Sequence, residues 1–582
     1  MMENKPAGSG NLNLSEIYRN QGAAFLGQSA KEHCAEIAAL RDRISREVRN
    51  PSGYIKLARA LGRDSNGVAV LREGLARCPP DAELYREAIS TLWRTNRIEE
   101  ALDVIRRAEE LFPGDKLFGF WEALILPVLY ETPEQIQYYR NRFSSGLQGL
   151  IARLSLDSPE TRHAALDATG CYTNFYLAYQ GQNDRELQSQ YGQFVCRIMA
   201  ANYPQWTRPL EMPPLSTDGK IRVGYVSAEF RNHSVSRTHL GWLLEHDRKV
   251  LEVHAYHVGR EADAVSEEAR RASEHFHHIP DDLERTCRTI VTDNLHIAVF
   301  LDIGMDPLMG QLAALRLAPI QCATWAHPVT SGLPTVEYFL SSELMEPEDG
   351  QDHYCERLIR LPGIGTCYRK PVIPRPVLGK SRGDFGLGED RNLFLCCQSS
   401  FKYLPQHDDL FVRIAKRNRA SQFVFLGLND MVANDLRARL ERAFTAEGLE
   451  AGDYCLILPQ LSRLDYCNLN LLSDVFLDSL EWSGVNTTLE AIACGLPVVT
   501  LPGRFMRGRH SYAILTQLGV TDTIARDKEE YVDIAVRLAQ DRAWRTQILN
   551  RMKANFPQLY SDTRCVRALE DFFRSKVRER LS

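Results

Sequence analysis

The chain has 582 residues, 44% of them apolar and 25% charged, with a formal net charge of -5. At about 150 residues per domain this is three or four folded units, and the acidic balance speaks against a general nucleic-acid binder, which carries a basic excess. No apolar run approaches the roughly 18 to 20 residues that span a bilayer.

Residues 1–30 read as an N-terminal tail or a loosely held helix, polar and Gly-rich at its start and without the apolar stretch of a signal peptide. A cytoplasmic location is therefore expected. The fourteen cysteines are scattered and form no C-x-x-C pair, which speaks against a zinc or redox motif and for free thiols in a reducing compartment. Residues 31–215 show apolar residues at three- and four-residue spacing, the pattern of helices. Within them Cys78-Pro79-Pro80-Asp81 recurs as Phe112-Pro113-Gly114-Asp115, at the spacing of about 34 residues found in tetratricopeptide helix pairs. Two units leave an irregular helical bundle as the alternative. Pro204 to Asp218 is proline-rich and reads as a linker.

Short apolar strands then alternate with helices. Ile221–Ser227, Val253–Val258 and Ile297–Leu301 form one series; Leu393–Cys397, Phe423–Leu426, Cys455–Leu458, Val475–Leu477 and Val498–Leu501 form another. Such alternation predicts two doubly wound α/β lobes, 219–375 and 376–582, the second ending in a closing helix near 562–579. Ligands of such sheets sit beyond the carboxyl ends of the strands, here in the cleft between lobes.

Four segments follow strands and carry polar side chains. In Asp474 to Gly503 a helix is predicted to start at Asn486-Thr487-Thr488 and to stop at Gly495. Its exposed N–H groups and dipole suit a diphosphate, and Glu490, one turn in, could accept from a ribose. The bland alternative is a capped helix with a solvated acid. In Gln398-Ser399-Ser400-Phe401-Lys402, Lys402 could neutralise a leaving diphosphate, although a lone Lys is more often a surface residue. In Ser227–Ser236, His233 could bind phosphate, contact an acceptor or act as a base; a lone loop His usually does none of these. Ala318–Leu333 contributes a polar loop with His327-Pro328. Asp293 and His296, before the third strand, could reach the cleft.

Taken together, the blocks RVGYVSAEFRNH, RLAPIQCATWAHPVTSG, QSSFK, LPQLSRLDYCNLNLLSDVFLD and NTTLEAIACGLPVVTLPG resemble, in order, the O-linked N-acetylglucosamine transferase or SPINDLY-type family, glycosyltransferase family 41. The resemblance implies a GT-B fold of two Rossmann-like lobes behind an all-α tetratricopeptide-like region. The first lobe would be the acceptor side and the second would bind a UDP-sugar. It implies an inverting enzyme that needs no metal or other cofactor. Lys402 resembles the lysine that meets the β-phosphate, and His233 an active-site histidine that binds and positions. Leu461 is similar to a position whose backbone reads uracil, and Thr487 and Thr488 to the pair that holds the diphosphate. Gln398 falls in the same donor-binding set. Asn486 stands where animal members carry His, closer to a bacterial branch that puts glucose on asparagine; Arg463 and Tyr466 also depart. The expected donor is thus a UDP-sugar carrying GlcNAc or glucose, and the expected acceptor a polypeptide Ser, Thr or Asn. Self-association is left open. The alternatives are a small-molecule or glycan acceptor, an epimerase on the same scaffold, and a non-catalytic binding scaffold.

Overall fold

The computed structural model describes residues 27–215, 217–373 and 379–582. Most of the tail expected at 1–30 lies outside the described residues, and the first described helix, Gly27–Arg46, starts inside that range. Among the described residues no helix is long and apolar enough to cross a membrane.

Up to Asn202 the described chain is helical and carries no strand. The recurring Pro-x-Asp signature has a local cause. The proline cannot continue the preceding helix, and the aspartate caps the next one. Asp81 Oδ1 accepts from Leu84 N at 2.8 Å, and Asp115 Oδ1 accepts from Leu117 N at 3.1 Å. Consecutive helices pack on one another, as helix pairs of a repeat would.

Seven parallel strands form the first sheet: β1 Ile221–Ser227, β2 Leu251–His257, β3 His275–His278, β4 Ile297–Phe300, β5 Ile320–Thr324, β6 Tyr338–Ser342 and β7 Arg357–Leu361. Their order is β3-β2-β1-β4-β5-β6-β7. Five parallel strands form the second: β8 Asn392–Cys396, β9 Ser421–Leu426, β10 Cys455–Leu458, β11 Val475–Leu477 and β12 Val498–Val499, in the order β10-β9-β8-β11-β12. Each order reverses direction once, between β1 and β4 and between β8 and β11. Loops leaving the carboxyl ends at such switch points form the binding crevice of a doubly wound sheet.

One placement differs from expectation. The closing helix, Arg564–Leu581, packs on the first sheet and not on the second lobe. Its buried stripe Val566, Leu569, Phe573 and Val577 joins the core of β1 and β2, and Glu570 accepts from Asp247 N at 2.8 Å. The stripe recurs at helical spacing and is apolar on one side only, so it fits the open face of that sheet.

The helical region is also bound to the second lobe by charge. Buried Asp184 lies 2.8 Å from Arg140 and 3.3 Å from Arg507. Arg97 pairs with Asp435 at 2.9 Å.

Candidate active site

The loops after β1, β8 and β11 converge on a cavity of about 350 Å³. Its lining includes His233, His327, Gln398, Lys402, Trp482, Asn486, Thr487 and His510, with Phe175 and Tyr179 from the helical region.

Lys402 closes a single 3₁₀ turn, Ser400–Lys402, just beyond β8. Its Nζ donates to Gln398 Oε1 at 3.0 Å. Gln398 Nε2 in turn donates to Thr487 Oγ1 at 2.7 Å. A short polar chain therefore runs from the lysine to the helix that follows β11. Among the described residues Lys402 has no acid within salt-bridge distance. Burial lowers its pKa to about 8, a shift that buried Asp478 and Cys397 offset in part. A half-buried cation without a counter-charge is costly in a folded protein, and it favours an anionic ligand.

The helix that follows β11 is Asn486–Cys494, and it ends at Gly495 in the left-handed region, φ 78°. Its N-cap is Val485, which supplies no side-chain cap. Asn486, Thr487 and Thr488 thus occupy the first three helical positions, where backbone N–H groups lack intrahelical acceptors. Asp478 shapes the turn before it: the carboxylate accepts from Ser483 Oγ at 2.6 Å and from Gly484 N at 2.9 Å. A Cβ at Gly484 would lie 2.2 Å from Gln398 Nε2 and 2.4 Å from Thr487 Oγ1, so any other residue would displace the side chains that link Lys402 to this helix.

The side chains of this first turn go to different places. Thr487 faces the cavity. Asn486 reaches the first lobe, accepting from Tyr368 Oη at 2.8 Å and donating to Ser234 O at 3.4 Å. Thr488 is fully buried, and its hydroxyl is 2.7 Å from Ser511 Oγ. Thr488, unlike Thr487, does not line the cavity. A helix turns its third position away from its second, so Thr488 offers only a backbone N–H. Glu490 is neither solvated nor free: its Oε1 accepts from Arg237 of the first lobe at 3.0 Å and from Arg463 at 2.8 Å. It lines a second cavity of about 280 Å³ with those arginines and Tyr368. Leu461 lies in the loop after β10, half-buried against the core, and lines neither cavity.

His233 caps the helix Ser234–Glu245. Its Nδ1 accepts from Val235 N at 3.4 Å, which leaves Nε2 as the donor of a neutral ring. Burial, with Arg231 and Arg237 nearby, lowers its pKa to about 4. Asp293 and His296 do not reach the cleft. They precede β4 at its amino end, the end opposite the switch-point loops, and His296 Nδ1 accepts from Arg222 N at 2.9 Å.

Two further histidines and an aromatic group belong to the site and were not assigned roles from sequence. His327 is stacked on Phe175, centroids 5.4 Å apart, and His510 Nδ1 lies 3.2 Å from Ser483 O. In both rings Nε2 is buried without a partner, and burial lowers each pKa to about 3. The segment Phe175–Gln180 is a 3₁₀ turn of the helical region. It sends Phe175, Tyr176 and Tyr179 against Phe401. No spacing in the sequence signals this, because the partners lie more than half the catalytic part away.

The model of glycosyl transferase family 41 matches residues 195–365 and 370–562. A relative from Arabidopsis thaliana, named "Probable UDP-N-acetylglucosamine--peptide N-acetylglucosaminyltransferase SPINDLY", is 28% identical over 332 residues, 55% of this chain and 35% of its own length. A second from the same plant, SEC, carries the same enzyme name and is 26% identical over 377 residues, 62% of this chain and 38% of its own. The chain thus spans little more than a third of these relatives. Among solved structures, a mutant O-GlcNAc transferase of Thermobaculum terrenum superposes with a TM-score of 0.68 at 22% identity. The superposition covers 94% of this chain and 98% of that one, and it shows a shared fold, the two-lobed GT-B arrangement behind a helical region. By the match across both lobes, the chain belongs to glycosyl transferase family 41.

Proposed function

We propose that the chain is an inverting glycosyltransferase that moves a sugar, GlcNAc or glucose, from a UDP-sugar to a polypeptide Ser, Thr or Asn side chain. The observation that carries this reading is the unpaired Lys402 ammonium, tied through Gln398 to Thr487 at an uncapped helix start. A full positive charge and helix-end amides meet at one wall of the cleft. That is the electrostatic pattern a diphosphate leaving group requires.

When the bond from the anomeric carbon to the β-phosphate oxygen breaks, the electron pair stays on that oxygen. Lys402 meets the new charge, so the reading calls for no metal in the transfer step. The acceptor attacks the anomeric carbon from the face opposite the departing UDP, which inverts its configuration, and the proton of its O–H or N–H is released to solvent. His233, neutral and donating through Nε2, orients the sugar or the acceptor. The adjoining cavity with Arg237, Arg463 and Glu490 would take the nucleoside. The names of the plant relatives support the nucleotide and a peptide acceptor.

The test is UDP release from a panel of UDP-sugars, with and without protein acceptors, followed by mass spectrometry of the acceptor. Sugar-dependent UDP release with a mass increment on Ser, Thr or Asn is expected. No turnover of any UDP-sugar, or transfer only to free glycans, would overturn the reading.

A further inference from the structure

A second cluster of chemically active side chains lies on the first sheet, away from the cleft. Side chains alternate faces along a strand. In β2 this puts Glu252, His254 and Tyr256 on one face. The parallel register pairs His254 with His275 and Tyr256 with His277, so the two β3 histidines join the same face. Asp293 reaches this face from the corner between the helix Leu283–Thr292 and β4.

We propose that His254 Nδ1, His277 Nε2 and Asp293 Oδ2 form a binding site for a divalent transition-metal cation of the zinc type. Asp293 Oδ2 lies 3.5 Å from His254 Nδ1 and 3.1 Å from His277 Nε2, and the three atoms lie within 4.8 Å of one another. Metal–ligand distances of about 2.0–2.2 Å in tetrahedral geometry place neighbouring ligands about 3.3–3.6 Å apart. Both imidazole nitrogens are buried, and neither is in a well-aligned hydrogen bond; the neighbour each meets is the Asp293 carboxylate. They converge on the Asp293 carboxylate at 3.5 and 3.1 Å, as a compact polar cluster that a cation could bridge.

The surroundings fit the same reading. Tyr256 Oη donates to Asp293 Oδ2 at 2.5 Å, the outer contact that orients a ligating carboxylate. The His254 side chain is 4% exposed and those of His277 and Asp293 are 30% and 21% exposed, so the site has a closed back and an open front for entry and a fourth, water ligand. Two imidazoles and one carboxylate suit zinc, cobalt, nickel or copper, whereas magnesium and calcium call for all-oxygen sites. The site joins the edge strand β3 to β2 and to the corner before β4. It lies at the amino end of β4, so it holds the lobe together and takes no part in sugar transfer. Glu252 Oε1 with His254 Nε2 and His275 Nε2 is the neighbouring candidate set. Its members make an ordinary hydrogen bond at 3.1 Å, and His275 is exposed, which favours the Asp293 side.

The test uses the purified full chain, stripped with chelator and titrated with Zn²⁺ against a chromophoric competitor. Co²⁺ absorption reports whether thiolates coordinate. One saturable equivalent is expected, without a thiolate band and without competition from Mg²⁺, together with a rise in Tm on zinc addition. His277→Ala and Asp293→Asn should each weaken binding by more than about a hundredfold, and Tyr256→Phe by about tenfold, as for an outer-shell partner. His275→Ala should retain binding. Circular dichroism of the metal-free variants checks folding, and His277→Gln replaces His277→Ala if the latter misfolds. The proposal is overturned by absence of saturable binding. It is equally overturned by binding that survives loss of His277 and Asp293, or by binding that depends on His275 and not on His277.

Discussion

The rings of Tyr179 and Trp482 are stacked, with centroids 3.9 Å apart and planes 20° apart. Tyr179 belongs to the helical region and Trp482 to the turn after β11. The Trp482 ring in turn lies 6.0 Å from Lys402 Nζ. The helical region thus forms a wall of the cleft and fixes the ring beside Lys402. Tyr179→Ala should lower sugar transfer at least about tenfold by releasing Trp482. It should also lower Tm, since truncating a buried aromatic costs about 3–5 kcal/mol. Tyr179→Phe keeps the stack and should retain both. Transfer rates and thermal melts of the two variants check this; equal activity in Tyr179→Ala and the parent would separate the helical region from the chemistry.

Lys402→Met is expected to lower kcat by at least about a hundredfold, the scale of one preorganised electrostatic donor. UDP-sugar affinity should change much less, because the charge it meets grows mainly in the transition state. Single-turnover transfer at saturating donor measures this directly. A rate within a few fold of the parent would remove Lys402 from the reaction.

The two threonines of the first helical turn should separate. Thr487→Val removes the acceptor of Gln398 Nε2 and loosens the link to Lys402, so UDP affinity and turnover should both fall. Thr488→Val removes the shorter of two contacts of the Ser511 hydroxyl, which keeps Gly484 O at 3.3 Å. The cost is about 1 kcal/mol of stability, the net worth of one hydrogen bond, with UDP affinity nearly unchanged. Calorimetric titration with UDP and chemical denaturation of both variants distinguish the roles, and a Thr488→Val protein that is stable but cannot bind UDP would reverse them.

Much of this arrangement was legible in the sequence, and what was not has physical causes. Runs such as Leu393–Cys397 and Val475–Leu477 are apolar throughout because both faces of a parallel sheet are covered, so they read clearly as strands. β3, HFHH, and β7, RLIRL, lie towards or at the sheet edges, where partial exposure admits polar residues, and they were not read as strands. Helix Asn486–Cys494 was placed by Gly495 and by its strand neighbours. Which way Thr488 points needed the turn before it, fixed by Asp478. The Tyr179–Trp482 stack and the Arg237–Glu490 bridge join residues hundreds of positions apart, and no local pattern encodes such pairs. The reading that found no metal motif rested on cysteine spacing; two histidines on adjacent strands have no such spacing to find.

The pH dependence of transfer follows from two of the shifted groups in the cleft, Lys402 and His233. Lys402, lowered to about 8 by burial, must carry its proton to meet the leaving group. In the free enzyme kcat/KM should therefore be level below about 8 and fall as pH rises through that value. A bound diphosphate favours the ammonium, so at saturating donor the fall in kcat should move to higher pH. The stability linkage has the opposite sense. A lysine whose folded pKa is depressed binds fewer protons than the unfolded chain between about 8 and its ordinary value near 10.4, so the unliganded protein gains stability from this group as pH rises through that window. His233, at about 4, stays neutral throughout the working range and should give no acid limb near its ordinary value. Rate profiles from pH 5 to 10 for the parent and for His233→Ala test both groups. An acid limb near 6.5 that vanishes in His233→Ala would make His233 a titrating base, and a basic limb that persists in Lys402→Met would assign the fall to another group.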